Sequence, residues 1–256
     1  MRRTNARGRR VDSRQTPLSI IKGTTPYAWL RADLYAVDGG TSKVGSFVDA
    51  MNSARSWATA VSADQVAVPA ASSAFGGQLV ATLSDAMYIW SGAAANFNFM
   101  HLGAGCDVYV VASADSVAAG TQYLVATSGA AGAGHQLART TTAFSNVLYT
   151  DAHAVISNRA ATAMVAGTGH VLRMSYLEGR SNEAQLRVST GSLDQGDTTG
   201  APGTGDASTA CKVGCRLTKN SPWVGKVASI LFYDRVLTTS EDTQLRDAIQ
   251  RHYGVT

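Results

Sequence analysis

Short runs of β-branched, aromatic and aliphatic residues recur along most of this chain, each closed by a cluster of Gly, Asn, Asp, Ser or Pro. That is the pattern of short strands joined by turns. The runs predict strands near 18–21 (LSII), 27–31, 44–48, 78–83, 87–90, 107–113, 122–127, 146–149, 153–157, 170–178, 184–190, 211–217 and 224–234. So many strands with few helical windows imply an all-β fold, a two-sheet antiparallel β-sandwich of jelly-roll type. Within 170–178, Leu172, Met174 and Tyr176 alternate with Val171, Arg173 and Ser175, which predicts one face on the core and one in water. The Gly- and Ala-rich tracts 128–134 and 196–208 have little to bury and read as surface loops.

The period changes only at the end. Thr238 and Glu241 form a T-x-x-E capping box, Leu245, Ala248 and Ile249 make one apolar stripe, and Gly254 suits a left-handed helix end. One C-terminal α-helix is therefore expected, packed on the strands because a helix this short is marginal alone.

Composition supports a folded body. Hydrophobic residues make 45% of the 256 positions and charged ones 16%, ample for a core. The net charge of +4 is uneven: Arg2, Arg3, Arg7, Arg9, Arg10 and Arg14 face only Asp12 in the leader, a local +5 that leaves −1 for the rest. Two segments follow, a basic N-terminal arm over 1–16 and a β-domain over 17–256. The near-neutral body offers no basic face for nucleic acid. No apolar run follows the basic start, so a secretory signal is not expected, and no run approaches the roughly 18 apolar residues of a membrane helix. Cys211 and Cys215 are too far apart along a strand for a disulfide, and with no second pair for zinc the cysteines read as buried thiols.

The closing stretch GKVASILFYDRVLTTSE (225–241), with its helix ending RHYG, resembles the end of concanavalin A-like lectin/glucanase (laminin G-like) domains common in bacterial and bacteriophage proteins. YAWLRADL (27–34) is similar to the family's opening, and VGSFVDAMNSARSW (44–57) to the segment after it. Ser229 stands where a Glu is typical and Phe47 where a Trp is, so family roles at those positions do not transfer. Tyr233, Asp234 and Arg235 read as a turn in which Asp234 satisfies backbone N–H groups.

Catalytic signals are sparse. Glycoside hydrolysis uses two carboxylates about 5 to 9 Å apart, and the resemblance implies two Glu four residues apart on one strand. Only three glutamates exist: Glu178 and Glu183 straddle a turn, and Glu241 belongs to the helix cap. No G-x-S-x-G occurs, and His101, His135, His153, His170 and His252 stand singly. No enzyme is therefore expected. Asp194, Asp197 and Asp206 share a loop and are the candidate calcium ligands, against a reading as a solvated loop; no other cofactor is indicated. Trp29, Trp57, Trp90 and Trp223 could stack on sugars, although three sit in strand patterns that favour the core.

The arm's six arginines are the candidate partner-binding residues, a clip onto an acidic surface; a solubilising tail and unspecific nucleic-acid contact are the alternatives. With the resemblance, they point to a non-enzymatic bacteriophage virion protein, made in the host cytoplasm without membrane attachment. It would decorate the capsid in many copies, docked on the major capsid protein. The alternative is a carbohydrate-binding adhesion module directed at host-surface glycans.

Overall fold

The computed structural model describes residues 16–255 except 60–61, 85, 103–104, 116–119, 130, 141–142, 153, 163–164, 180–183, 190–193, 196–203 and 217–220. The strands are β1 (Ala28–Asp38), β2 (Lys43–Asp49), β3 (Ser56–Ala58), β4 (Ala70–Ala71), β5 (Leu79–Leu83), β6 (Tyr88–Trp90), β7 (Cys106–Ala114), β8 (Thr121–Ala126), β9 (Gly134–Thr140), β10 (Ala143–Tyr149), β11 (Val155–Thr162), β12 (His170–Tyr176), β13 (Ala184–Val188), β14 (Asp194–Gln195), β15 (Lys212–Val213) and β16 (Gly225–Tyr233). Two α-helices, α1 (Pro17–Gly23) and α2 (Thr239–Tyr253), flank them in sequence.

The main hydrogen-bonded path runs β11-β10-β9-β8-β15-β6-β3-β2-β1-β16-β7-β12-β13-β14, with every strand pair antiparallel and β4 and β5 attached beside β16. Its two ends meet: β10 and β11 pack against β13, where Asn146 Nδ2 donates to the Gln185 carbonyl at 3.2 Å. The wall is thus a nearly closed, barrel-like antiparallel sheet, in place of two separately bonded sheets. The two- and three-residue strands β15, β6 and β3 carry the hydrogen bonds between its halves; β6 and β15 fall within the predicted segments 87–90 and 211–217, and β3 lies in no predicted segment.

Strand alternation decides what lies inside. Val108, Val110 and Ala112 of β7, Leu172, Met174 and Tyr176 of β12, and Ile230 and Phe232 of β16 point into one apolar interior that also holds Trp57, Trp90 and Trp223. Their neighbours Tyr109, Val111, Val171, Leu231 and Tyr233 point outward, where Ile21 of α1 and Leu245, Ala248 and Ile249 of α2 cover them. The outer face expected to be wet along β12 is therefore dry: Arg173 and Ser175 are buried.

The segment 18–21 is helical, not a strand. Thr16 caps it by accepting from Ser19 N at 3.2 Å, and Pro17 occupies the first turn, where its missing N–H costs nothing. The C-terminal helix follows its sequence. Thr238 and Glu241 complete the capping box, and Gly254 ends the helix at φ 61°. Asp234 does not take the role expected of it; Asp107 accepts from the Leu237 N–H at 2.7 Å.

Polar bonds fasten α2 to the wall as well. Arg173 donates from Nε and Nη2 to Asp107 at 3.1 and 2.8 Å and lies 3.1 Å from Asp242. Asp242 also accepts from both Nη atoms of Arg187, at 2.8 and 2.5 Å, and from the Tyr109 hydroxyl at 2.6 Å. Burial pushes the Asp242 carboxyl up, but Arg187, Tyr109 and Arg173 together bring it down to about 2. In Asp107 burial prevails over Arg173, and its carboxyl rises.

Asp242→Ala should cost about 3–5 kcal/mol in urea unfolding, because it strands the buried Arg187 guanidinium and takes from Arg173 one of its two carboxylates. The folded Asp242 carboxyl sits below its unfolded value of about 4, so its contribution is complete above that pH and fades as pH falls toward 2. The urea midpoint of Asp242→Ala should approach that of the wild type over that acid range.

Candidate functional site

With the outer face of β1, β16, β7 and β12 under the helices, the strand ends are the natural place for a ligand. At one rim the start of β1, the end of β2, the start of β3 and the end of β6 come together through their pairings. A 3-10 turn over Ala94–Met100 lies against them.

Arg55, just before β3, is the centre of this rim. Its Nη2 donates to the Tyr27 carbonyl at 2.9 Å and lies 2.7 Å from Asp49 Oδ2. The guanidinium also sits over two rings, Tyr27 and Trp90, each 5.2 Å from its centroid. Asp49 is itself fixed, its Oδ1 accepting from Trp29 N and Met51 N at 2.9 Å each. Nη2 is thus committed, while no hydrogen bond holds Nη1 within the described residues. Tyr27 and Phe99, both half-buried, are in contact with ring centroids 5.0 Å apart and planes inclined at 60°, so they form a notch with two apolar walls.

On the far side of Trp90 the chain bends at Gly92. A Cβ there would fall 2.6 Å from Trp90 Nε1 and 3.1 Å from Asn96 Nδ2, so only glycine keeps this notch open. Trp90 Nε1 and Arg55 Nε are buried donors without a partner among the described residues. Asn96 is half-buried in the 3-10 turn with its amide beside the notch. An aromatic platform edged by a fixed cation and an amide can hold a flat polyhydroxylated ligand: rings cover its C–H face while planar polar groups meet its hydroxyls.

A second aromatic cluster lies on β8 to β10. Arg216 sits 5.5 Å over Tyr123 and 5.9 Å over Tyr149, and donates from Nε and Nη2 to the Gly129 carbonyl at 3.2 and 2.7 Å. Tyr149 in turn donates to Gln136 Oε1 at 3.1 Å. Its polar groups answer one another, which marks it as a brace.

Few of the sequence candidates gather here. The six arm arginines, Arg2, Arg3, Arg7, Arg9, Arg10 and Arg14, and also Asp197, Glu183 and His153, fall outside the described residues. The backbone of Asp194 forms part of β14, and Asp206 is exposed and accepts from Asn98 Nδ2 at 2.6 Å. No group of three or more metal-binding side chains occurs among the described residues. Glu178 is exposed, and Glu241 pairs with Arg235 at 2.7 Å besides capping α2. Trp29, Trp57, Trp90 and Trp223 are all buried, so none presents a ring face to solvent. Ser229 accepts from Trp29 Nε1 at 2.8 Å and Phe47 packs on Tyr88, both within the fold.

His135 and His170 serve packing. His135 is fully buried, its Nδ1 2.6 Å from the Met100 carbonyl and its Nε2 against Asn146 Oδ1, and burial lowers it to about 4. His170 Nε2 accepts from Val165 N at 3.2 Å. Sequence reasoning passes over Tyr27, Arg55, Asn96 and Phe99 as site residues; the signal there is two aromatics and two Asn in ANFNF, close after a Gly.

No family model matches the chain, and no curated protein does. Solved structures share its fold. A mutant of Trypanosoma rangeli sialidase displaying trans-sialidase activity matches with a TM-score of 0.61 and 13% identity, over 92% of this chain and 34% of that one. Trypanosoma rangeli sialidase in complex with sialic acid matches at 0.58 and 14%, over 88% and 32%. The chain thus spans about a third of the sialidases it resembles, and at such identity the likeness establishes the fold alone. It also corrects the expectation that no enzyme is present. Structures with this fold belong to enzymes, so the missing glutamate pair is no ground for excluding catalysis.

Arg55→Ala should lower stability by about 3 kcal/mol, read by thermal or urea unfolding, since it leaves Asp49 a buried carboxylate without its cation and removes two cation–ring contacts. Arg55→Lys should recover part of that loss, because a point charge restores the pairing but not the fork.

Proposed function

We propose that this chain is a carbohydrate-binding module that receives a sugar at the rim, on the rings of Tyr27 and Phe99, with Arg55 and Asn96 as polar partners. The observation that carries it is the state of Arg55, locked by Asp49, Tyr27 and Trp90 while no hydrogen bond holds Nη1 among the described residues. A side chain already ordered loses little entropy when it binds.

The fold likeness to sialidases supports the same reading, since one of those structures is a complex with sialic acid, itself a sugar. In finer terms the body is read as a concanavalin A-like domain, in keeping with its closing strand and helix. The arginine leader is read as the tether that fastens such a module to an acidic partner surface.

An immobilised glycan library probed with the full chain tests the reading. Binding to a defined set of glycans, competed by the free sugar, is expected. Phe99→Ala should weaken it about tenfold or more, roughly 1.4 kcal/mol, whereas Tyr123→Phe in the second cluster should leave it unchanged. Silence across the library, or loss only on the Tyr123 change, contradicts the proposal.

A further inference from the structure

We infer that the rim site takes uncharged glycans and discriminates against those ending in a carboxylate, such as the sialic acid bound in one of the sialidase structures that share the fold. The inference rests on the carbohydrate-binding reading and concerns which class of sugar that same site accepts.

The geometry of one guanidinium is the first ground. Arginine recognises a carboxylate best through two parallel N–H···O bonds, along the Nε/Nη2 edge or across the Nη1/Nη2 fork. Both edges of Arg55 are spent. Nη2 serves the Tyr27 carbonyl at 2.9 Å and Asp49 at 2.7 Å, and Nε is buried. What remains is Nη1, a single donor nitrogen. One lone nitrogen fits a hydroxyl or ring oxygen and cannot grip a carboxylate in the bidentate way.

Charge leads to the same end. Asp49 has a fully buried side chain and lies 2.7 Å from the Arg55 guanidinium, so the pair brings no net charge to the rim. A carboxylate seated there would give up its hydration and meet, a few ångströms below, an anion that already holds the cation. Repulsion from Asp49 offsets attraction to Arg55, and the desolvation is not repaid. The remainder of the body carries −1 outside the arm, which supplies no long-range attraction for acidic glycans either.

The other groups suit a neutral ring. The Asn96 amide offers donor and acceptor side by side, the complement of two adjacent hydroxyls. Tyr27 and Phe99 give an apolar footing for the C–H face of a pyranose. Gly92 keeps its own chain clear of the Asn96 amide, which a Cβ there would approach to 3.1 Å. Hydroxyl oxygens can meet Arg55 Nη1 and the Asn96 amide without bringing charge.

The test compares neutral oligosaccharides with their sialylated counterparts on one immobilised library, using the full chain and Asn96→Ala. Because the basic arm can attract acidic glycans, only binding that Asn96→Ala weakens is assigned to the rim. The inference expects that component on neutral glycans, weakened about tenfold by the change with the melting temperature unmoved, and altered less than about twofold between 0.05 and 0.5 M salt. If sialylated glycans carry the Asn96-sensitive binding more tightly than their neutral parents, the inference is overturned while the carbohydrate reading stands. If no glycan shows an Asn96-sensitive component, the reading of the rim falls and the inference with it.

Discussion

Enclosure of one apolar interior by a sheet that nearly closes on itself is the constraint from which the rest of this molecule follows. Inward positions of most strands feed that interior, where Trp57 stacks on Phe232 at 5.8 Å and meets Trp90 edge-on at 4.7 Å. Burying such side chains is worth about 1.5–3 kcal/mol each, and summed over the interior this is the largest favourable term in the fold. Closing the wall removes most exposed strand edges, but it also removes the interior as a place to bind anything. The helices then cover the outer face of the central strands. What a ligand can reach is the rim.

Two buried ion-pair systems divide the remaining work. Beneath α2, two arginines and two aspartates form a satisfied network in which each guanidinium meets a carboxylate within 3.1 Å. Such a network fixes where the helix sits more than it adds stability, because the desolvation of four charges nearly offsets their attraction. At the rim a single pair, Arg55 with Asp49, has Nη1 without a hydrogen bond among the described residues, and beside it Trp90 Nε1 is buried without a partner there.

Much of the scaffold was legible in the sequence and little of the site. The C-terminal helix could be read residue by residue because its cap, stripe and stop are local chemistry: Thr238, Leu245, Gly254. Strands such as 107–113 and 224–234 declare themselves by composition. The strand β9 does not, since His135, Leu137 and Arg139 alternate along it, and two of these three buried side chains are polar, which breaks the apolar period. The segment 18–21 misled because a short apolar run fits either a strand or one helical face, and Pro17 decided it. The rim is assembled from residues as distant as Tyr27 and Phe99, and nothing in either stretch announces the other.

Everything proposed for the rim turns on where a sugar sits. A crystal structure of the full chain with a bound oligosaccharide, chosen from the glycans it retains, would measure that directly. The expected result is a pyranose stacked on Tyr27 and Phe99, with a hydroxyl within hydrogen-bond distance of Arg55 Nη1 and another at the Asn96 amide. A sugar seated instead over Tyr123 and Arg216, with the rim untouched, would contradict it.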